Sequence, residues 1–140
     1  MNTDLMFSSE TDQWETPQDF FDKLNAEYHF DLDVAALPTN AKCKQYFSPE
    51  QDGLSQRWSG RCWMNPPYGR QIGKWVKKAY EESRNDADIV VCLLPSRTDT
   101  KWFQDYILPF AKIQFIRGRL KFGKSKNAAP FPSLIAIFGR

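Results

Sequence analysis

The chain is short of the residues on which much protein chemistry depends. Its 140 residues include one histidine, His29, and three cysteines, Cys43, Cys62 and Cys92. The cysteines are odd in number, far apart and mostly inside apolar runs, so they read as reduced core thiols, with neither a disulfide framework nor a zinc site. His29 closes a helical pattern and reads as a charge complement to that helix's carboxyl end, which leaves no histidine for general base work. No apolar run approaches the ~20 residues that span a bilayer, and no secretory leader is visible. A soluble cytoplasmic chain without a membrane partner is expected. Acidic groups are missing from one end. Residues 106–140 hold seven of the 19 basic residues and none of the 17 acidic ones, while residues 1–60 hold four basic and eleven acidic. The formal net charge of +2 hides this asymmetry, and a basic end of this kind is either a nucleic-acid footprint or a solvated face. At this length there is room for one domain and no separate recognition domain, and the sequence leaves the oligomeric state open.

What is present centres on Arg61 to Arg70, RCWMNPPYGR. The apolar run Cys62 to Met64 is stopped by Pro66 and Pro67, so a strand ends at Asn65 and passes into a rigid extended loop. Asn65 therefore stands at the carboxyl end of a strand, where open α/β sheets bind ligands. An exocyclic amine on an aromatic base is a poor nucleophile because its lone pair is delocalised into the ring. The Asn65 side-chain oxygen and the Pro66 carbonyl offer two acceptors for its two hydrogens, which would localise that lone pair. Pro67 contributes no competing N–H donor, and Tyr68 offers a flat face for a base. The same residues also make an ordinary strand-to-helix turn.

The tetrad Asn65, Pro66, Pro67, Tyr68 resembles the catalytic motif of S-adenosylmethionine-dependent amino methyltransferases. Trp14-Glu15-Thr16-Pro17, Asp33-Val34-Ala35-Ala36, Leu94-Pro95-Ser96-Arg97-Thr98-Asp99 and Gly118-Arg119-Leu120-Lys121-Phe122 accompany it in order. With them the chain, over about residues 14–138, resembles the compact phage-type (Dam-like) DNA N6-adenine methyltransferases. The resemblance implies a single-domain α/β, Rossmann-like methyltransferase fold, S-adenosylmethionine as cofactor and DNA as partner. It also implies direct in-line methyl transfer to the N6 amino group of a base flipped into the Asn65–Tyr68 site, and it suggests a phage setting and evasion of host restriction. No Pro-Cys nucleophile of the cytosine-C5 type stands in a suitable loop. Two alternatives stay open: methyl transfer to another planar amine (N4 of cytosine, RNA adenine or a protein glutamine), and a DNA-binding domain whose cofactor site has decayed.

In chain order, residues 1–13 are polar and without period, an expected flexible arm ahead of a domain at 14–140. Thr16 reads as an N-cap with Pro17 at the first position of a helix over 17–28. By resemblance Thr16 and Pro17 hold the methionine end of the cofactor. Residues 30–35 form a strand with Asp33 near its end; Asp33, Ala35, Asn40 and Asp52 are assigned by resemblance to cofactor binding together with Asn65. The Gly-rich turn usual in the wider superfamily is absent after this strand. A second strand is expected at Cys43–Phe47 and a turn at Ser48–Gly53, after which Leu54 and Trp58 pack a short helical segment. Ile72, Trp75, Val76, Ala79 and Tyr80 recur at helical spacing. Ile89–Leu94 reads as a parallel strand buried on both faces, followed by a helix over Thr100–Leu108. Arg97 either meets a phosphate or caps that helix. Strands at Ile113–Ile116 and Leu134–Phe138 flank a loop expected to face DNA through Arg117, Arg119, Lys121, Lys124 and Lys126. Phe122 or Phe131 in that loop would help sandwich the base.

Overall fold

The structure, a computed structural model, describes residues 14–123 and 127–139. The expected arm at 1–13 and the candidate DNA contacts Lys124 and Lys126 lie outside the described residues. The layout follows from one strand, β4 (Ala87–Pro95), every residue of which is buried except Asp88. Its side chains alternate between two clusters, with Val90, Cys92 and Leu94 in one and Ile89, Val91 and Leu93 in the other. Such a strand needs a cover on both faces. On the first face helix α2 (Ile72–Ser83) supplies Ile72, Trp75, Val76 and Ala79. A π-helical turn, Phe103–Ile107, adds Phe103 and Ile107 and runs into α3 (Leu108–Phe110). On the second face lie Phe21 of helix α1 (Gln18–Tyr28) and, from the loop before the last strand, Phe122 and Ala129.

The remaining strands are β1 (Leu32–Asp33), β2 (Gln45–Tyr46), β3 (Gly60–Met64), β5 (Lys112–Phe115) and β6 (Ser133–Gly139). They form one sheet in the order β2-β1-β3-β4-β6-β5. The first four are parallel, β6 is antiparallel to β4, and β5 is antiparallel to β6. This is the expected three-layer α/β, Rossmann-like arrangement, with parallel strands all ending at one edge. Among the described residues no helix is long and apolar enough to cross a membrane.

Several local expectations are corrected. Pro17, extended at ψ 134°, is the cap residue of α1. Thr16 caps nothing there, because its hydroxyl accepts a hydrogen bond from the Asn65 amide. His29 ends the helix in the left-handed conformation (φ 53°), its N–H on the Asn25 carbonyl, so its part is geometric. The strands expected at 30–35 and 43–47 are two residues long each, although single bonds from Asp31 N–H to the Arg61 carbonyl and Val34 N–H to the Trp63 carbonyl extend the β1–β3 pairing. Trp58 is not helical. It is fully buried because its indole N–H donates to the Gly53 carbonyl (2.8 Å) and its backbone N–H to the Glu82 carboxylate (2.6 Å). The helix expected over 100–108 contains the π turn: Pro109 has no N–H for the Asp105 carbonyl and its ring presses on it, and the wide bond from Leu108 N–H to the Phe103 carbonyl opens the turn to accommodate it. The helix is capped by Thr100, whose hydroxyl accepts from Phe103 N–H (3.3 Å), and not by Arg97.

Asp33 holds the chain beyond β1. Its carboxylate accepts from Ala35 N–H (3.3 Å) and Lys42 N–H (3.0 Å), folding the 34–42 loop back over the strand end, while only 3 % of the residue is exposed. Burial raises its pKa to about 6, opposed in part by those two N–H donors. The folded state therefore binds the Asp33 proton more tightly than the unfolded chain does. Asp33 contributes most stability below pH ~4, and that contribution, on the order of 3 kcal/mol for a shift of this size, is lost as the pH rises through ~6. Urea unfolding from pH 4 to 7 should show the stability of the native chain falling relative to an Asp33→Asn variant across this window, with a constant difference above it. Gly53 packs beside the same strand end, where a Cβ would stand 2.2 Å from the Val34 carbonyl oxygen and 2.9 Å from the Trp75 ring. Gly53→Ala must displace backbone, so its unfolding midpoint in urea should correspond to a loss of about 3 kcal/mol.

Candidate active site

Three parallel strands and one antiparallel strand deliver their ends to the same edge. Asp33 closes β1, Asn65 follows β3 and Ser96 follows β4; β6 runs the other way and so begins there, with Ser133 paired to Pro95. Asn65 is at the centre. Its amide nitrogen donates to the Trp14 carbonyl and to the Thr16 hydroxyl (2.9 Å). Because the Trp14 carbonyl can only accept, the amide orientation is fixed and the oxygen faces the other way. That oxygen is buried and has no hydrogen-bond partner among the described residues. A buried carbonyl left in this state costs about 1–3 kcal/mol, which marks it as an acceptor waiting for a donor. Pro66 and Pro67 follow, and neither has an N–H that could satisfy it.

Tyr68 departs from the expectation of an open stacking face. It is 3 % exposed, its hydroxyl donates to the Leu93 carbonyl (3.1 Å), and burial raises its pKa. Around it Phe122 and Phe131 stand edge-on, with ring centroids at 6.5 and 5.7 Å, and Trp14 meets the same two rings at 5.5 and 5.0 Å. Three aromatic side chains from two remote segments thus close over Tyr68 in the loop after β3. The Arg97 guanidinium lies 6.0 Å from the Phe131 ring centre, with its side chain exposed at the rim.

The flanking segments are tied in by backbone. Gly123 N–H donates to the Glu15 carbonyl (2.7 Å), which holds the basic loop against the segment that grips Asn65. The loop also folds on itself, through Ala129 N–H to the Leu120 carbonyl (2.8 Å) and Arg119 Nη1 to the Ala129 carbonyl (3.3 Å). Arg117, Arg119 and Lys121 are exposed along it. Of the residues assigned to a cofactor, Thr16, Asp33, Ala35 and Asn65 share the strand edge. Pro17 starts α1 beside them, so the first-turn N–H groups of that helix point toward the Thr16 end of the site. The other two have local work: the Asn40 side-chain oxygen accepts from Leu37 N–H (2.8 Å) in its own turn, and exposed Asp52 accepts from Leu54 N–H (3.2 Å) at the head of the Gly53–Ser55 turn. Trp14 and Ser96 lie in motifs that the sequence marks, but without a role of their own, and Ser133 is not singled out; the hydroxyls of both serines are buried and unpartnered among the described residues. Trp14 lies where the sequence has no periodicity, and the serines follow or begin strands like any turn residue. Cys62 and Cys92 are no candidates for chemistry, since burial pushes the Cys62 thiol up to about 12 and Cys92 higher than usual as well.

A zwitterionic sulfonium ligand fits this donor set. Its carboxylate suits the amino end of α1, and its positive groups suit the ionised Asp33. The basic loop on the far side of Asn65 suits a polyanion.

Comparison with known proteins agrees with that chemistry. The sequence pattern of DNA N-6-adenine-methyltransferase (Dam) matches residues 4–137. The DNA N-6-adenine-methyltransferase of Haemophilus phage HP1 (strain HP1c1) is 33% identical over 139 residues, covering 93% of this chain and 80% of its own length. The Escherichia coli (strain K12) protein YfdM is 37% identical over 65 residues, 41% of this chain and 71% of its own. A solved structure from Thermoplasma acidophilum covers 87% of this chain and 85% of its own at 10% identity, with a TM-score of 0.43. With the match running over nearly the whole chain, this protein belongs to the DNA N-6-adenine-methyltransferase (Dam) family.

Proposed function

We propose that this chain transfers a methyl group from S-adenosylmethionine to the N6 amino group of adenine in DNA, with the acceptor base turned out of the duplex into the Asn65–Tyr68 site. The observation that carries the reading is the Asn65 amide, whose donor end is spent on Trp14 and Thr16 and whose buried oxygen is unpartnered. That oxygen accepts one N6 hydrogen and the Pro66 carbonyl the other. Both bonds draw the nitrogen lone pair out of the purine ring, and both strengthen as positive charge develops on nitrogen, so they favour the transition state over the ground state. The bound cofactor supplies an electrophilic methyl on a positively charged sulfur. Thr16, Pro17, Asp33 and Ala35 hold it on the β1 side of Asn65, leaving the base to the β4 and β6 side. The methylated nitrogen is a strong acid and releases its proton without a dedicated base, which suits a site lacking histidine.

On this reading Tyr68 is a wall braced from behind by its bond to Leu93, and the base enters by parting Phe122 or Phe131 from it. Arg97, Arg117, Arg119 and Lys121, with Lys124 and Lys126, meet the DNA backbone around that opening. A domain of this size makes few base contacts, each bidentate groove contact being worth ~1–3 kcal/mol, so the target sequence is short or relaxed.

Asn65→Ala should lower kcat for labelled methyl transfer to unmethylated DNA by at least about 100-fold, with cofactor affinity by calorimetry within a few-fold. Enzymatic digestion of the native enzyme's product should yield N6-methyladenine; a methylated cytosine in its place would overturn the reading. Replacing Lys121, Lys124 and Lys126 together by alanine should flatten the slope of log affinity for DNA against log salt by up to about 2.7. An unchanged slope would place the DNA elsewhere.

A further inference from the structure

Three side-chain polar atoms are buried without a partner among the described residues: Asn65 Oδ1, Ser96 Oγ and Ser133 Oγ. They are not scattered. They stand at the ends of three neighbouring strands, β3, β4 and β6, on the one edge where the catalytic loop emerges. The other buried polar side chains, those of Thr16, Asp33 and Glu82, are all satisfied. A fold that satisfies every buried polar side chain except those along one edge has left that edge to a ligand.

Sheet order gives the ligand its place. Asp33 on β1 lies to one side of Asn65, and Ser96 and Ser133 lie to the other. Strand alternation adds direction. Trp63, two residues before Asn65, and Ile135, two residues after Ser133, belong to the same cluster on the α1 side of the sheet, so Asn65 and Ser133 rise from the same face with β4 between them. Phe131, two residues before Ser133, packs against Tyr68. Ser133 itself is 1 % exposed.

We propose that the hydroxyl of Ser133 forms a second polar wall of the acceptor-base pocket, donating to a ring nitrogen that flanks the amino group held by Asn65; Ser96, two residues after Leu94 of the other cluster, faces the α2 side and takes no part. The inference rests on the reading of Asn65 given above. Asn65 and Pro66 recognise only an amine, which cytosine also carries. A hydroxyl donor beyond them adds recognition of the ring: one that meets N7 separates adenine from cytosine, which has no nitrogen there, whereas one that meets N1 finds an equivalent acceptor in N3 of cytosine. The two nitrogens that flank the amine of adenine are N1 and N7, and a serine hydroxyl can donate to either.

The test uses the full-length enzyme and short duplexes carrying a target adenine first mapped on unmethylated DNA. Ser133→Ala should lower kcat/KM for DNA by about 10-fold, leave the dissociation constant for S-adenosylmethionine within two-fold and leave Tm unchanged or raised, because the substitution removes an orphaned hydroxyl. With native enzyme, replacing the target by 1-deazaadenine or by 7-deazaadenine should produce a loss of similar size for one of the two, which identifies the nitrogen, and the Ser133→Ala enzyme should lose nothing further with that analogue. Native enzyme indifferent to both analogues, or a Ser133→Ala enzyme whose only change is a lower Tm, would overturn the proposal while leaving the role of Asn65 intact. Absence of any adenine methylation by the native enzyme would instead remove the underlying reading and the proposal with it.

Discussion

The Asn65 amide is a planar group with donors at one corner and an acceptor at the other, and the architecture of the site depends on which corner is engaged. Two acceptors from the segment before α1 take the donors, so the oxygen has only one direction left. Strand β3 brings the residue to the sheet edge, the two prolines keep competing N–H groups away, and the buried faces of β4 hold the frame against which this is measured. The cost of an unpaired buried oxygen is small beside the apolar burial in the two clusters, which is why the fold tolerates it.

The same edge separates opposite electrostatic tasks. On the β1 side stand a buried carboxylate and the amino end of a helix, each suited to one charge of a small zwitterion. On the β4 and β6 side stand exposed cations on a loop without a single acidic residue, suited to a polyanion. On the proposed reading the methyl donor and the acceptor strand would be kept to different territories by charge before any specific contact forms, with Asn65 on the boundary.

Periodicity and punctuation made much of this legible. The continuous run Ile89–Leu94 could only be a strand covered on both sides, and the spacing Ile72, Trp75, Val76, Ala79 could only be a helix lying on it. The pair Pro66-Pro67 after an apolar run located the loop that leaves β3 at Asn65. What stayed hidden had long-range causes. Thr16 before Pro17 carries every local mark of a cap, yet its hydroxyl serves a residue 49 positions away. Tyr68 in a loop looks available for stacking, yet the Leu93 carbonyl on the neighbouring strand draws its hydroxyl inward and buries the ring. The strands at 32–33 and 45–46 are too brief for alternation to define their ends. The unpartnered serines carry no sequence signal at all, because being unsatisfied is a property of surroundings.

The bond from Gly123 to Glu15 joins residues more than a hundred positions apart, and the Trp14 ring meets Phe122 and Phe131 across a similar span. Closing so large a loop costs more chain entropy than joining neighbouring segments does. During synthesis the Asn-Pro-Pro-Tyr tetrad leaves the ribosome after the Trp14 segment but long before Phe122 and Phe131. A nascent or nicked chain can therefore hold the reactive residues in order along its backbone and still present no enclosed site. The enclosed site thus requires a chain that runs at least from Trp14 through Phe131.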